Sequence, residues 1–149
     1  MRKKYDIIKN LNLDYKSVLF VGCALGMELE AFTNYGNKDC FGIEVSEYAV
    51  NNCISKFKDK IKLYYGVNIP FDSNSFYLIS YWDVMALSPK DKRENLIKEQ
   101  IRVSKRYIMM RTQLVENGTE INHKSRNAFD GNVAYFFSIE EYEEIFRNI

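Results

Sequence analysis

The hydrophobic and polar positions of this chain predict buried strands alternating with amphipathic helices. Val18–Val21 is a continuous apolar run without period-two alternation, which is typical of a parallel strand covered on both faces. The run stops at Gly22, and a second glycine, Gly26, follows four residues later. Apolar residues then recur at helical spacing, at Leu25, Leu29 and Phe32. This stretch predicts a strand, a tight turn and a helix.

The same pattern predicts the remaining elements. Further strands are expected at Cys40–Ile43, Ile61–Tyr65, Phe76–Trp82 and Tyr107–Met110. Helices are expected within residues 1–13, from Ser46 through Lys56, from Ser88 and Pro89 to Val103, and from Ser138 onward. In the third of these, Leu96, Ile97 and Ile101 are expected to face the core and residues 90–94 to face solvent. The alternation predicts an α/β fold with a doubly wound, mostly parallel sheet.

An acidic residue at the end of the second strand is the first residue that indicates a binding site. Glu44 follows the apolar run Cys40–Ile43, and in a βαβ unit this position lies beside the glycine turn, where a carboxylate accepts hydrogen bonds from ribose hydroxyls. The pattern predicts a nucleoside-bearing cofactor. The glycine spacing is G-x-x-x-G, whereas pyrophosphate binding uses G-x-G-x-x-G. A nicotinamide-dependent oxidoreductase is therefore the less favoured alternative.

Four ordered motifs resemble those of the class I S-adenosylmethionine-dependent methyltransferases, in the small single-domain, type 11-like group. Val18–Gly26 resembles their motif V-L-D-V-G-C-G-x-G, and the stretch from Tyr35 through Val50 resembles Y-G-I-D-I-S-E-Y-A-I. Ile69–Ile79 resembles L-P-F-x-D-N-S-F-D-L-I, and Ile101–Ile108 resembles the segment that enters strand five. The resemblance implies the Rossmann-like methyltransferase fold and S-adenosyl-L-methionine as cofactor.

The resemblance also implies which residues bind that cofactor. The expected set is Gly22, Cys23, Ala24, Gly26, Glu44, Val45, Asn68, Ile69 and Trp82. Asn68 stands where the family usually places an Asp that accepts the adenine amino group, and it is equally well interpreted as a turn residue. The backbone around Trp82 is expected to hold the amino-acid end of the cofactor.

Asp83 and His123 are the candidate catalytic residues for methyl transfer to a small-molecule acceptor with an O or N nucleophile. Asp83 follows strand four, where it orients the acceptor or caps the next turn. His123, the single histidine, has a reference pKa near neutrality that suits a general base, although a lone loop histidine is more often a surface residue. It lies in residues 112–137, which are interpreted as a lid and acceptor-binding segment or as a plain connection.

Three residues depart from the family pattern and support a second interpretation. Phe20 stands where the first motif usually has Asp or Glu, Ala24 replaces a glycine, and Tyr77 replaces an Asp. The chain also leaves no room for the family's last strand pair, so the sheet is expected to lack it or to be covered by a partner subunit or a second copy. A non-catalytic cofactor-binding subunit of a larger complex is therefore the alternative.

Length and composition limit the number of domains and the kinds of ligand that the chain is expected to bind. The 149 residues predict one domain over residues 1–149, and a net charge of +1 gives no electrostatic footprint for nucleic acid. No apolar run is long enough for a membrane span, which predicts a cytoplasmic protein without membrane contact. Cys23, Cys40 and Cys53 are too scattered for a metal site, so they are expected to be buried thiols and no metal is expected.

Overall fold

The computed structural model describes residues 2–13, 15–37, 39–88, 90–112 and 138–149. The helices are α1 (Arg2–Asn10), α2 (Met27–Asn34), α3 (Glu47–Asn51), α4 (Val84–Leu87), α5 (Lys90–Val103) and α6 (Ile139–Arg147). The strands are β1 (Ser17–Val21), β2 (Asp39–Glu44), β3 (Ile61–Leu63), β4 (Phe76–Trp82) and β5 (Ser104–Arg111), and a 3₁₀ turn covers Ser55–Phe57.

The five strands of the described chain form one parallel sheet in the order β3-β2-β1-β4-β5. The chain starts at the centre with β1, adds β2 and β3 on one side, and then returns to place β4 and β5 on the other. This reversal leaves a switch point between β1 and β4, and open α/β sheets bind ligands outside the carboxyl ends of their strands there. The predicted doubly wound parallel sheet is confirmed.

Apolar side chains cover both faces of the sheet because successive strand residues point to opposite sides. One cluster joins Leu19, Val21, Ile79 and Tyr81 of the strands to Leu96 and Ile97 of α5. The other joins Val18, Phe20 and Leu78 to Leu29 and Phe32 of α2. In β1 every residue after Ser17 is buried, as the continuous apolar run predicted.

Two predicted helices differ from the observed ones. The helix capped by Ser46 ends at Asn51 instead of continuing to Lys56, and the chain then makes the 3₁₀ turn that buries Phe57. The Ser46 cap itself is confirmed, because its hydroxyl accepts from the Ala49 amide at 3.2 Å. Leu25 precedes α2 and is partly exposed, so it belongs to the glycine turn and not to the helix.

Helix α5 buries a different set of residues from the predicted one. Leu96 and Ile97 are buried as expected, but Ile101 is partly exposed. Arg93, expected in solvent, is 0% exposed and donates its Nε–H to the Ser88 carbonyl at 3.0 Å. The expectation that residues 90–94 all face solvent is wrong at Arg93, whose long side chain folds inward to reach the Ser88 carbonyl.

The expectation that all three cysteines are buried thiols is confirmed at two positions. Cys23 and Cys40 are buried, whereas Cys53, which follows the shortened α3, is only partly buried. Among the described residues no cluster of His, Cys, Asp and Glu side chains could hold a metal ion. The described helices include none with the length and apolar character needed to cross a membrane.

Candidate functional site

The turn between β1 and α2 has a backbone that leaves little space for side chains. Gly22 and Gly26 have φ values of 72° and 88°, and Ala24 between them has a φ of 47°, a region that favours glycine. A Cβ atom at Gly22 would lie 2.6 Å from Cγ2 of Val84, and one at Gly26 would lie 2.8 Å from Cδ1 of Ile61. The turn is therefore packed tightly between α4 and β3.

Glu44 fixes the junction between this turn and β2. One carboxylate oxygen, Oε2, accepts from the Ala24 amide at 2.8 Å. The other, Oε1, accepts from the amides of Val45 at 2.8 Å and Ser46 at 3.0 Å. Since a carboxylate offers about four acceptor positions, these three bonds leave one, on Oε2. Glu44 thus both orients the turn and keeps one acceptor position on the oxygen nearer the glycine turn.

Cys23 packs into the sheet. Its Sγ lies beside Gly42 of β2, where an added Cβ would lie 2.4 Å from the sulfur. Burial and, to a smaller degree, the neighbouring Glu44 carboxylate raise the pKa of the Cys23 thiol to about 12. The thiol is therefore protonated at neutral pH and serves as a packing group.

The carboxyl end of β4 carries Trp82 and Asp83 next to the end of β5. Asp83 has a φ of 61° and donates its amide to the Arg111 carbonyl at 2.8 Å. Its carboxylate pairs with the Arg111 guanidinium through both Nε and Nη2, and the guanidinium lies over the Trp82 ring, 4.7 Å from its centroid. Asp83 is bonded to Arg111 and makes no side-chain cap on α4.

These groups surround one cavity of about 430 Å³ at the carboxyl edge of the sheet. Its lining residues are Gly22, Ala24, Glu44, Val45, Tyr64, Tyr65, Gly66, Trp82, Asp83, Val84, Ser88, Lys92 and Leu96. The cavity lies at the switch point and has the size of a small-molecule site. Its wall is mainly aromatic and aliphatic, and Glu44, Asp83 and Lys92 are its charged residues.

The structure brings together six of the residues expected to contact the cofactor or the acceptor: Gly22, Ala24, Glu44, Val45, Trp82 and Asp83. Cys23 and Gly26 belong to the same turn but do not line the cavity. Asn68 is exposed, and Ile69 is buried in the core, so neither lines the cavity. His123, like the rest of residues 113–137, lies outside the described residues.

Sequence reasoning missed several lining residues. Tyr64, Tyr65 and Gly66 follow β3, Ser88 follows α4, and Lys92 lies in the first turn of α5. One signal could have found them, because every segment that leaves the carboxyl end of a parallel strand emerges at the same edge of the sheet. Applied to the third and fourth strands, that rule points to both segments.

The environment of Phe20 explains why this position departs from the family motif. Its side chain is fully buried on the α2 side of the sheet, and its ring packs edge-on against Phe32 with centroids 4.9 Å apart. An acidic side chain in that position would need a polar partner, since burying an unpaired carboxylate is costly. The aromatic pair therefore accounts for Phe20 as a core residue.

Solved structures with the same architecture include several that are described as S-adenosylmethionine-dependent methyltransferases. YcgJ from Bacillus subtilis superposes with a TM-score of 0.78 over 99% of this chain and 68% of its own length, at 17% identity. A SAM-dependent methyltransferase from Methanosarcina mazei gives a TM-score of 0.76 over 97% of this chain and 83% of its own, at 16% identity. No protein-family model and no curated sequence matches the chain.

A third similar structure contains a partner subunit. It is a complex from Haloferax volcanii between the Trm112 methyltransferase activator and a protein taken to be a methyltransferase, with a TM-score of 0.70 over 89% of this chain and 60% of that one, at 18% identity. The present chain spans only part of the length of each of these proteins. The fold is that of the class I S-adenosylmethionine-dependent methyltransferases, as the ordered motifs predicted.

Proposed function

We propose that this protein binds S-adenosylmethionine and transfers its methyl group to a small-molecule acceptor through an O or N nucleophile. The observation that carries the proposal is Glu44, whose carboxylate is fixed by three backbone amides at the cavity and keeps an acceptor position on Oε2. A ribose hydroxyl is a donor that suits this position. The fold and the cavity at the switch point support the same assignment.

The residues present fit the cofactor. Gly22 and Ala24 bring the backbone of the glycine turn to the cavity, and Val45, Tyr64 and Tyr65 supply apolar wall next to Glu44. The cofactor supplies a methyl group on a positively charged sulfur. Asn68 and Ile69 stay candidates for adenine recognition from the sequence, as Cys23 and Gly26 do for the glycine turn.

Alignment is the main contribution that this chain's residues make to the reaction. An in-line displacement is accelerated by holding the nucleophile against the methyl group. Asp83 and Trp82 border the cavity where β1 and β4 separate, and Arg111 holds the Asp83 carboxylate in place. Asp83 is therefore proposed to orient the acceptor, while His123 stays the sequence-based candidate for the base that a hydroxyl acceptor needs.

Calorimetric titration with S-adenosylmethionine and with its demethylated product, S-adenosylhomocysteine, tests the proposal. We expect micromolar binding that Glu44→Ala weakens about a hundredfold, because the ribose loses a charged acceptor and the turn loses its anchor. Glu30→Ala is the matched control, since Glu30 pairs with Lys56 at 2.9 Å on the exposed side of α2. Absence of heat with either ligand, or equal binding by the two variants, contradicts the proposal.

A non-catalytic cofactor-binding subunit is the second candidate. The observation that favours it is the bonding of the Asp83 carboxylate to Arg111, which occupies a catalytic candidate at the cavity. The Haloferax volcanii complex is a precedent for a partner subunit in this fold. Binding of S-adenosylmethionine without formation of S-adenosylhomocysteine across a panel of hydroxyl and amine acceptors would favour this candidate over catalysis.

A further inference from the structure

A row of polar side chains on α5 holds the connection between β3 and β4. Asn95, Glu99 and Arg102 are spaced by four and three residues, so they lie along one face of the helix. The connection, residues 64–75, contains no helix or strand. Its first part, Tyr64, Tyr65 and Gly66, lines the cavity. The row therefore lies behind one wall of the site.

The row makes four hydrogen bonds to backbone atoms of the connection. Asn95 donates Nδ2–H to the Val67 carbonyl at 2.7 Å. The Ile69 amide donates to Oε2 of Glu99 at 2.7 Å, and the Ile69 carbonyl accepts from Nη2 of Arg102 at 2.9 Å. Nη1 of Arg102 reaches the Phe71 carbonyl at 2.8 Å. Every second residue from 67 to 71 is thus fixed by a side chain of α5.

Glu99 and Arg102 also bind each other in a fork. Nε and Nη2 of Arg102 donate to the two carboxylate oxygens of Glu99 at 2.7 and 2.8 Å. This ion pair holds the pKa of the Glu99 carboxyl below its usual range, and the Ile69 amide adds to the effect. Bidentate arginine–carboxylate pairs are geometrically specific, so the pair fixes the position at which both residues contact the connection.

The same helix contributes to the cavity directly. Lys92 and Leu96 line it, and Asn95 and Glu99 each follow one of these residues by three positions along α5. The helix therefore contacts both the cavity and the backbone of the connection, through neighbouring residues of α5. Binding improves when the contacting groups are already ordered, because less conformational entropy is lost on association.

We propose that Asn95, Glu99 and Arg102 are positioning residues that preorganise the Tyr64–Gly66 wall for the nucleoside end of the cofactor. The proposal rests on the proposed function, since it names the residues that shape the same site. None of the three lines the cavity, so they act through the backbone of residues 67–71. Their loss weakens cofactor binding while the rate of methyl transfer at saturating cofactor is retained.

Glu99→Ala is the primary test, measured by hydrogen exchange and by titration with S-adenosylhomocysteine. The Ile69 amide loses its acceptor, so its exchange without ligand is expected to accelerate at least about tenfold. The dissociation constant of S-adenosylhomocysteine is expected to rise about tenfold. Glu99→Gln keeps an oxygen that can accept from Ile69, so it should give a smaller loss of affinity than Glu99→Ala.

Glu94→Gln is the matched control, because Glu94 forms an exposed ion pair with Lys98 at 2.7 Å on the same helix and does not contact the connection. Affinity equal to that of the control, or unchanged exchange at Ile69, overturns the proposal. A fall in turnover at saturating cofactor also overturns it. If the wild-type protein binds neither ligand, the proposed function fails, and the exchange comparison still decides whether α5 holds the connection.

Discussion

Gly22 and Gly66 differ in what a side chain at each position would meet. Both have a positive φ and both line the cavity. A Cβ at Gly22 would collide with Val84, so any substitution there disturbs the fold as well as the site. A Cβ at Gly66 meets no atom within 4 Å, and the same holds for Gly36, which lies after α2 and does not line the cavity. A comparison of substitutions at Gly66 and Gly36 therefore separates the effect of backbone strain from the effect of lost space in the cavity.

Gly66→Ala is expected to weaken binding of S-adenosylhomocysteine about tenfold, because a methyl group enters the side of the cavity that the nucleoside would occupy. Gly36→Ala imposes a comparable backbone strain, about 1 kcal/mol, away from the site. Calorimetric titration of both variants, with urea unfolding to match their stabilities, measures the difference. Equal affinities would show that the ligand does not approach Gly66.

At the scale of single residues, the sequence predicted the positions of those that end or directly follow a strand. Glu44, Trp82 and Asp83 all directly end or follow a strand, and the structure places them at the cavity. The hypothesis that Asn68 binds the cofactor depends on its position in a motif. In the structure Asn68 is exposed, because α5 binds the backbone on either side of it, at Val67 and Ile69. Such long-range contacts have no local sequence signal.

Helix ends follow local rules where a cap is present. The last helix, α6, begins with a full capping box: the Ser138 hydroxyl accepts from the Glu141 amide at 3.3 Å, and Glu141 Oε2 accepts from the Ser138 amide at 2.8 Å. The sequence predicted that this helix starts at Ser138. The end of α3 was not predicted, because Leu25 of the glycine turn accepts the Ile54 amide at 3.0 Å and so fixes the chain after the helix.

Ser138→Ala is expected to lower the free energy of unfolding by about 1 kcal/mol, because the Glu141 amide loses its acceptor and α6 holds the buried Tyr142 against the sheet. Urea unfolding followed by circular dichroism measures the change. Glu143→Ala is the control, since Glu143 forms only an exposed pair with Arg147 at 3.5 Å. An equal effect of the two substitutions would mean that the cap does not stabilise the helix.

At the scale of the whole molecule, burial raises the pKa of several side chains so that they ionise only at high pH. Burial raises the pKa of the Cys23 thiol to about 12, that of the Cys40 thiol to about 11 and that of the Tyr64 phenol to about 12. All three lie in a strand or within two residues of the end of one, in layers that the alternation of strands and helices predicted. The extent of their burial could not be predicted, because it depends on the packing of both faces.

These groups predict a loss of stability in alkaline solution. Their folded-state pKa values exceed the unfolded values, so the native chain retains protons that the unfolded chain has released. The resulting stability is complete below about pH 9 and is lost as the pH rises toward 11 and 12, with a slope of about 1.4 kcal/mol per pH unit for each fully released proton.

Urea unfolding of the ligand-free protein between about pH 8 and pH 11 measures this slope. Cys23→Ala combined with Cys40→Ala removes two of the buried protons and should make the slope shallower by up to about 2.8 kcal/mol per pH unit, whatever the change in stability at pH 8. Cys53→Ala, which removes a thiol that is only partly buried, is the comparison variant. A slope in the double variant as steep as in the wild-type protein would show that the two thiols are not held protonated by burial in the folded chain.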